Sequence, residues 1–161
     1  MNQKDVKVVR RASAVGLWGA VAVVLLTVAF IYSPWRFYPS AQSARWMTIA
    51  GTVLAVLAIS MTLLTVRRQV PQLRQSESLE TKLAGYAAHV RSVYMTMLAV
   101  VVLICIITAL SARNVLLMLA LVCALVLVLN YPNMYKMKVD LGLTDEEMRS
   151  LFGDRYIAGN E

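Results

Sequence analysis

Four long stretches without a single ionisable side chain dominate this sequence. Asp, Glu, Lys, Arg and His are all missing from residues 12–35, 46–66, 92–112 and 114–135. At ~1.5 Å rise per residue, a helix of about 20 residues spans roughly 30 Å, the thickness of the bilayer's hydrocarbon core. A helix in water keeps a charged face, and these stretches have none. The sequence therefore predicts four transmembrane helices.

The composition agrees with a membrane-embedded chain. The length of 161 residues fits one domain, 59% of the residues are hydrophobic and only 16% are charged. Soluble domains are less apolar and carry more charge. We predict an all-α, polytopic membrane protein whose spans form two hairpins. The predicted spans are about 14–32, 46–66, 93–112 and 114–131, within a membrane domain of residues 1–135 that a tail of residues 136–161 follows.

The basic residues predict the topology. Four lie before the first stretch, five in the connector of residues 67–92 and four after the fourth stretch, whereas Arg36, Arg45 and Arg113 are the only ones in the other two loops. Lys and Arg resist translocation, so the segments rich in them are expected on the cytoplasmic side. We therefore expect a bacterial inner-membrane protein with both termini in the cytoplasm. The net charge of +7 is explained by topology, without nucleic-acid binding.

Small residues recur at helical spacing in the first two spans. They are Gly16, Gly19 and Ala20 in span one, and Gly51 and Ala55 in span two. Such residues let two helix backbones approach closely inside a bilayer. We expect these two faces to pack against each other, and the alternative is a seam between two copies of the chain.

The connector should be partly helical. Leu79, Leu83, Tyr86, Val90 and Tyr94 follow spacings of three and four, which place them on one stripe of a helix that continues into span three. Pro71 is expected to end the preceding helix. The single histidine, His89, falls off the stripe and is expected to face solvent.

The tail contains a clear helix-start signal. Thr144 followed three residues later by Glu147 is a capping box, which predicts a short helix over about 145–152. This helix should present Met148, Leu151 and Phe152 on one side. We predict that this side covers the connector face formed by Leu79, Leu83, Tyr86 and Val90. The end of span two, the headgroup layer and a partner protein are the alternative covers.

No motif indicates catalysis or a cofactor. The predicted spans carry no ionisable residue, which ion-coupled carriers normally keep in the membrane. The sequence shows no Gly-rich phosphate loop and no metal-binding motif such as HExxH. We expect a protein that is not an enzyme, needs no cofactor or metal, and has no identifiable small-molecule substrate.

One resemblance covers residues 76–150. Lys82, Leu83 and Tyr86 lead into a hairpin, after which Pro132, Lys136, Asp140, Leu141 and Leu143 follow. This layout resembles small uncharacterised bacterial inner-membrane proteins with two hairpins and a cytoplasmic acidic tail. The resemblance implies the architecture and no activity.

Two functions remain open at this point. The expected role is that of a structural or protein-interaction component of the inner membrane, whose partner is the bilayer together with another protein or further copies of the chain. The alternative is a subunit of a small oligomeric transporter or channel. Its pathway would need polar side chains, for which eight hydroxyl residues are the candidates: Thr27, Thr48, Thr52, Ser60, Thr62, Thr65, Thr96 and Thr108.

Overall fold

The chain folds into α-helices in a computed structural model that describes residues 3–33, 39–76, 78–111 and 113–152. Within these residues there are six helices and no strand. They are α1 (Gln3–Ile31), α2 (Ala41–Arg74), α3 (Leu79–Ser111), α4 (Asn114–Leu129), α5 (Met134–Leu141) and α6 (Asp145–Phe152). The predicted all-helical class is confirmed.

Three helices are long and apolar enough to cross a bilayer: Val6–Ile31, Ala41–Arg74 and Leu79–Ser111. A fourth candidate combines α4 with α5, two segments bent by 75° at the break between them. Many of the large side chains on the outside of the bundle are apolar, and Trp18, Leu26 and Leu129 are each 70% exposed. In water this surface would be unfavourable, so the helices are suited to a membrane.

The central helix is α3, and both α1 and α2 pack mainly on it. Its buried residues extend from Leu83 near the start to Ser111 at the end. Gly16 of α1 lies against Tyr94, and Gly19 against Leu98, so α1 and α3 run parallel. Two turns earlier in each helix, Val9 and Ala87 are also buried. The first turns of α1 therefore pack beside the connector part of α3.

This packing corrects the prediction for the N-terminus. The first span was expected at about residues 14–32, yet α1 begins at Gln3 and both Val9 and Ser13 are buried. Charged residues occur here on a helix that keeps an apolar stripe towards α3. Arg10 and Arg11 lower the hydropathy of this segment, but the helix continues through them.

Pro71 does not end α2, which is a second correction. The helix continues through Pro71 to Arg74. Proline removes one backbone hydrogen bond, but only one turn remains beyond it. That last turn gains tertiary contacts: the Leu73 side chain lies against Gly85 of α3, and Arg74 donates a hydrogen bond of 3.3 Å to the carbonyl of Val139 in α5.

The prediction that α3 runs unbroken from the connector into span three is confirmed. Ser78 caps its start, because the backbone N–H of Thr81 donates to the Ser78 hydroxyl at 3.2 Å. The predicted capping box of α6 is also confirmed. The Thr144 N–H donates to Glu147 Oε2 at 2.7 Å, and the Glu147 N–H donates to Thr144 Oγ1 at 3.2 Å.

The sequence reasoning missed α5, although both of its caps are visible in the sequence. At the start, the Lys136 N–H donates to Asn133 Oδ1 at 2.6 Å. At the end, Gly142 has φ +61°, a left-handed conformation that favours glycine, and the Leu143 N–H donates back to the Lys138 carbonyl. These caps bound a helix of eight residues, so the segment after Pro132 is folded against the bundle.

Candidate functional site

Among the described residues, the Tyr94 hydroxyl of α3 donates to the Leu127 carbonyl of α4 at 2.8 Å, and most other side-chain hydrogen bonds between helices lie at one end of the bundle. We call it the connector end, and it comprises the first turns of α1, residues 67–92, the end of α4, and helices α5 and α6. Two polar pairs define its centre. The Tyr86 hydroxyl donates to Asp140 Oδ2 at 3.1 Å, and the Nδ1 of His89 is hydrogen-bonded to Oε1 of Gln69.

Each pair joins α3 to another element. Tyr86 and His89 lie one turn apart on α3, so that their side chains lie on the same side of the helix. Gln69 comes from the last turns of α2, and Asp140 from α5. The 75° bend after α4 brings Asp140 back across α3. Further links are provided by Lys136 with Asn130 and by Lys138 with Asp145.

Burial determines the charge states of the central groups. It raises the pKa of Tyr86 far above the ordinary value, and the nearby Asp140 carboxyl raises that pKa further. Burial lowers the pKa of His89, an effect that Asp140 opposes. Desolvation disfavours the charged form of either group. At neutral pH, the site therefore presents a neutral phenol and a neutral imidazole.

His89 is therefore placed differently from the sequence-based prediction. It was expected to face solvent, but it is 7% exposed and its side chain lies against Gln69 of α2. Sequence reasoning also missed the partners Gln69 and Asp140. Only the position of His89 next to the Tyr86–Val90 stripe could have indicated burial, because no spacing in the sequence links it to residue 69 or residue 140.

The small residues of the first two spans are packed closely, but not against each other as predicted. A methyl group added at Gly16 would lie 2.7 Å from Tyr94 Cδ1, and one added at Gly51 would lie 2.7 Å from Leu116 Cδ2. Ala20 and Ala55 are fully buried. The pairing of the two faces was therefore wrong: α1 uses its small residues on α3, and α2 uses Gly51 against α4 and α3.

The residues predicted as an interaction face lie in or against one hydrophobic cluster. Of the predicted face, Leu83, Tyr86, Val90, Met148 and Leu151 are buried members of this cluster, and Leu79 and Phe152 are partly buried against it. Helices other than α6 cover part of the connector face. Tyr86 donates a hydrogen bond to Asp140 of α5, and Leu73 of α2 lies against Gly85, next to the face. Direct cover by α6 stays a prediction.

The site has little room for a ligand. The space enclosed between α2, α3 and α5 beside Tyr86 and His89 is about 20 Å³, which is enough for about one water molecule. No group of three or more His, Cys, Asp or Glu side chains that could hold a metal occurs among residues 3–33, 39–76, 78–111 and 113–152. Chemically, the arrangement ties α2, α3 and α5 together through side-chain hydrogen bonds.

Five of the eight hydroxyl groups proposed as pathway lining donate a hydrogen bond within their own helix. Thr27 donates to the carbonyl of Val23 at 2.8 Å, and Thr108 to that of Ile104 at 2.7 Å. The same bond to the carbonyl four residues earlier is made by Thr48, Thr52 and Thr65. These five hydroxyls are satisfied within their own helices.

No family model matches this chain, and no curated protein or solved structure shows significant similarity to it.

Proposed function

We propose that this protein is a multi-pass protein of a bacterial inner membrane that crosses the bilayer four times, with both termini in the cytoplasm. In this proposal α4 completes the fourth crossing, and the 75° bend places α5 and α6 at the cytoplasmic surface. The excess of basic residues in the N-terminal segment, the connector and the tail supports the orientation. The resemblance of residues 76–150 to small inner-membrane proteins with two hairpins is consistent with it.

The proposed role is that of a structural or protein-interaction component. The observation that carries this proposal is the concentration of side-chain hydrogen bonds between helices at the connector end. At the connector end, hydrogen bonds such as Tyr86–Asp140 and His89–Gln69 join separate helices. In the apolar part, the hydroxyls of Thr27 and Thr108 donate within their own helices, and the bond from Tyr94 to the Leu127 carbonyl joins α3 to the end of α4. A component that holds other proteins needs a rigid, defined end of this kind, and a carrier needs a polar route.

A non-enzymatic role is part of the same proposal. The Nδ1 of His89 is hydrogen-bonded to Gln69, and the hydroxyl of Tyr86 to Asp140. The small space beside them could not hold a substrate together with the groups that would act on it. The alternative, a transporter or channel subunit, would require a polar pathway formed between copies of the chain.

Labelling of two exposed glutamines at opposite ends of α2 tests the topology. Gln42 and Gln72 are both exposed, and Cys105 and Cys123 are buried, so the unmodified chain is the blank. We expect Gln42→Cys to react with a membrane-impermeant maleimide on intact spheroplasts. Gln72→Cys should react only after the membrane is opened. Labelling of residue 72 on intact spheroplasts would overturn the proposed orientation.

Reconstitution into liposomes tests the functional class. The proposed role predicts no conductance and no solute flux above that of empty liposomes, at protein densities that permit oligomers. A discrete conductance, or uptake that saturates with solute concentration, would favour the transporter or channel alternative. The measurement does not depend on orientation, so it separates the two parts of the proposal.

A further inference from the structure

A groove of about 620 Å³ opens at the connector end, between the first turns of α1 and the segments that follow α4. One wall is formed by the first turns of α1, including Lys7, Val9 and Arg10. The opposite wall is formed by the α4–α5 turn at Tyr131, by Met137 of α5 and by Phe152 at the end of α6. Binding pockets for small molecules typically measure about 300–1,000 Å³, so the groove is large enough for a ligand.

The described side chains that line the groove carry charge of one sign. Lys7 and Arg10 are exposed, lie one turn apart on α1 and therefore share one face of the helix. Neither side chain takes part in an ion pair with any of the described residues. The described residues that line the groove include no carboxylate. Two cations at this spacing, beside walls that include the apolar side chains of Val9, Met137 and Phe152, suit a ligand with an anionic group and an apolar body.

We infer that this groove binds the headgroup and upper acyl chains of an anionic phospholipid. The inference rests on the proposed function, because the four-span arrangement places the first turns of α1 in the cytoplasmic headgroup layer. Arg10 and Arg11 are followed at once by the uncharged stretch of residues 12–35, and Tyr131 ends the apolar run of α4. Tyrosine and arginine at that level are typical of the membrane interface.

The shape of the groove favours a lipid over a soluble anion. A free phosphate would contact Lys7 and Arg10 and leave the apolar walls unused. A phospholipid can place its phosphodiester between the two cations and lay its chains beside α1 and α4, which already contact each other. Basic pockets between transmembrane helices on the cytoplasmic side bind anionic headgroups in this way. Arginine can donate two hydrogen bonds to a phosphate, and lysine adds a point charge.

Titration of the full chain in detergent tests the inference, with native mass spectrometry as the readout. The probes are phosphatidylglycerol, phosphatidylcholine and soluble glycerol phosphate. We expect one phosphatidylglycerol to bind in preference to phosphatidylcholine, and glycerol phosphate not to displace it. In the double variant Lys7→Gln/Arg10→Gln, affinity for phosphatidylglycerol should fall about tenfold or more, through the loss of two charge-assisted hydrogen bonds.

The matched control is Arg11→Gln/Arg67→Gln, which removes the same charge from two exposed residues outside the groove. It should bind phosphatidylglycerol as the unmodified chain does. In a third variant, Met134→Trp, a larger side chain on one wall occupies part of the groove without changing its charge. This variant should also weaken binding.

Several outcomes would overturn the inference. Equal loss in both double variants would indicate general charge attraction, and displacement by glycerol phosphate would indicate a site for free phosphate. Equal binding of the two lipids would show that the cations do not select the ligand. Binding that appears only when residues 153–161 are deleted would assign the groove to the chain's own C-terminal segment. Binding in detergent does not depend on orientation, so a failed inference and a failed topology are distinguishable.

Discussion

The two halves of the bundle are stabilised by different interactions. In the half that lies away from the connector end, helices meet through small or apolar side chains, as where Gly51 lies against Leu116. At the connector end, Tyr86, His89 and Asp140 add specific hydrogen bonds between helices. In lipid the hydrophobic effect gives little drive for association, so close packing determines which helices meet. At the aqueous surface, hydrogen-bonded side-chain pairs and helix caps can also determine which helices meet.

The largest expected effect is on the apolar half. Gly51→Leu should destabilise the bundle by about 1–3 kcal/mol or more, because the added side chain must displace Leu116 from α4. Thermal unfolding in detergent would measure the loss. The matched control is Ala50→Leu, at an exposed neighbouring position on α2, which should change little. Equal melting temperatures for the two variants would show that the α2–α4 contact does not stabilise the fold.

Removing one hydroxyl at the connector end should have a comparable or smaller effect. Tyr86→Phe leaves Asp140 without its phenol donor, which should cost about 1–3 kcal/mol for a partly buried acceptor. Hydrogen exchange in α3 and α5 should rise together, because the bond joins those two helices. Tyr135→Phe is the control, since Tyr135 is 75% exposed on α5. Exchange that rises in α5 alone would mean that α3 is held in place without this bond.

The capping box allows a weaker perturbation of α6. Thr144→Ala should cost about 1 kcal/mol by removing the acceptor for the Glu147 N–H. Ser150→Ala removes a hydroxyl from the same helix without touching the cap and serves as the control. If α6 covers the connector stripe, hydrogen exchange should rise both at 145–152 and at 79–90. A rise confined to α6 would mean that α1, α2 and α5 cover the stripe without it.

The smallest effect is a dependence on pH. The pKa of His89 is lowered in the folded state, so the unfolded chain binds a proton more readily. The contribution of His89 to the free energy of unfolding should be fully present above the ordinary histidine pKa of about 6.5. It should fall as the pH drops through that value towards the lower pKa of the folded state. Because Asp140 opposes the shift, the loss should be modest.

Denaturation midpoints between neutral and mildly acidic pH would reveal this dependence. His89→Gln cannot titrate, and its stability should lose the component that falls with acidification. If the variant and the unmodified chain lose stability in parallel, the proton is taken up elsewhere.

The sequence alone predicted the elements whose causes are local. The uncharged stretches predicted apolar helices, three of which are long enough to cross a bilayer, and Thr144 with Glu147 predicted the start of α6. The stripe from Leu79 to Tyr94 predicted that α3 would run unbroken. Each of these depends on periodicity or on a cap within one segment, and such signals need no knowledge of neighbouring helices.

Only the tertiary structure decided which faces meet. Gly16 and Gly51 both predicted close packing, yet each packs on a different helix, because small residues indicate a close approach and do not specify the partner. Helical continuation through Pro71 and the burial of His89 also depend on contacts made by residues distant in sequence. The bend after α4 brings Asp140 to Tyr86 across 54 positions of the chain. A pattern within one segment does not encode such a distance, so the connector end became visible only in three dimensions.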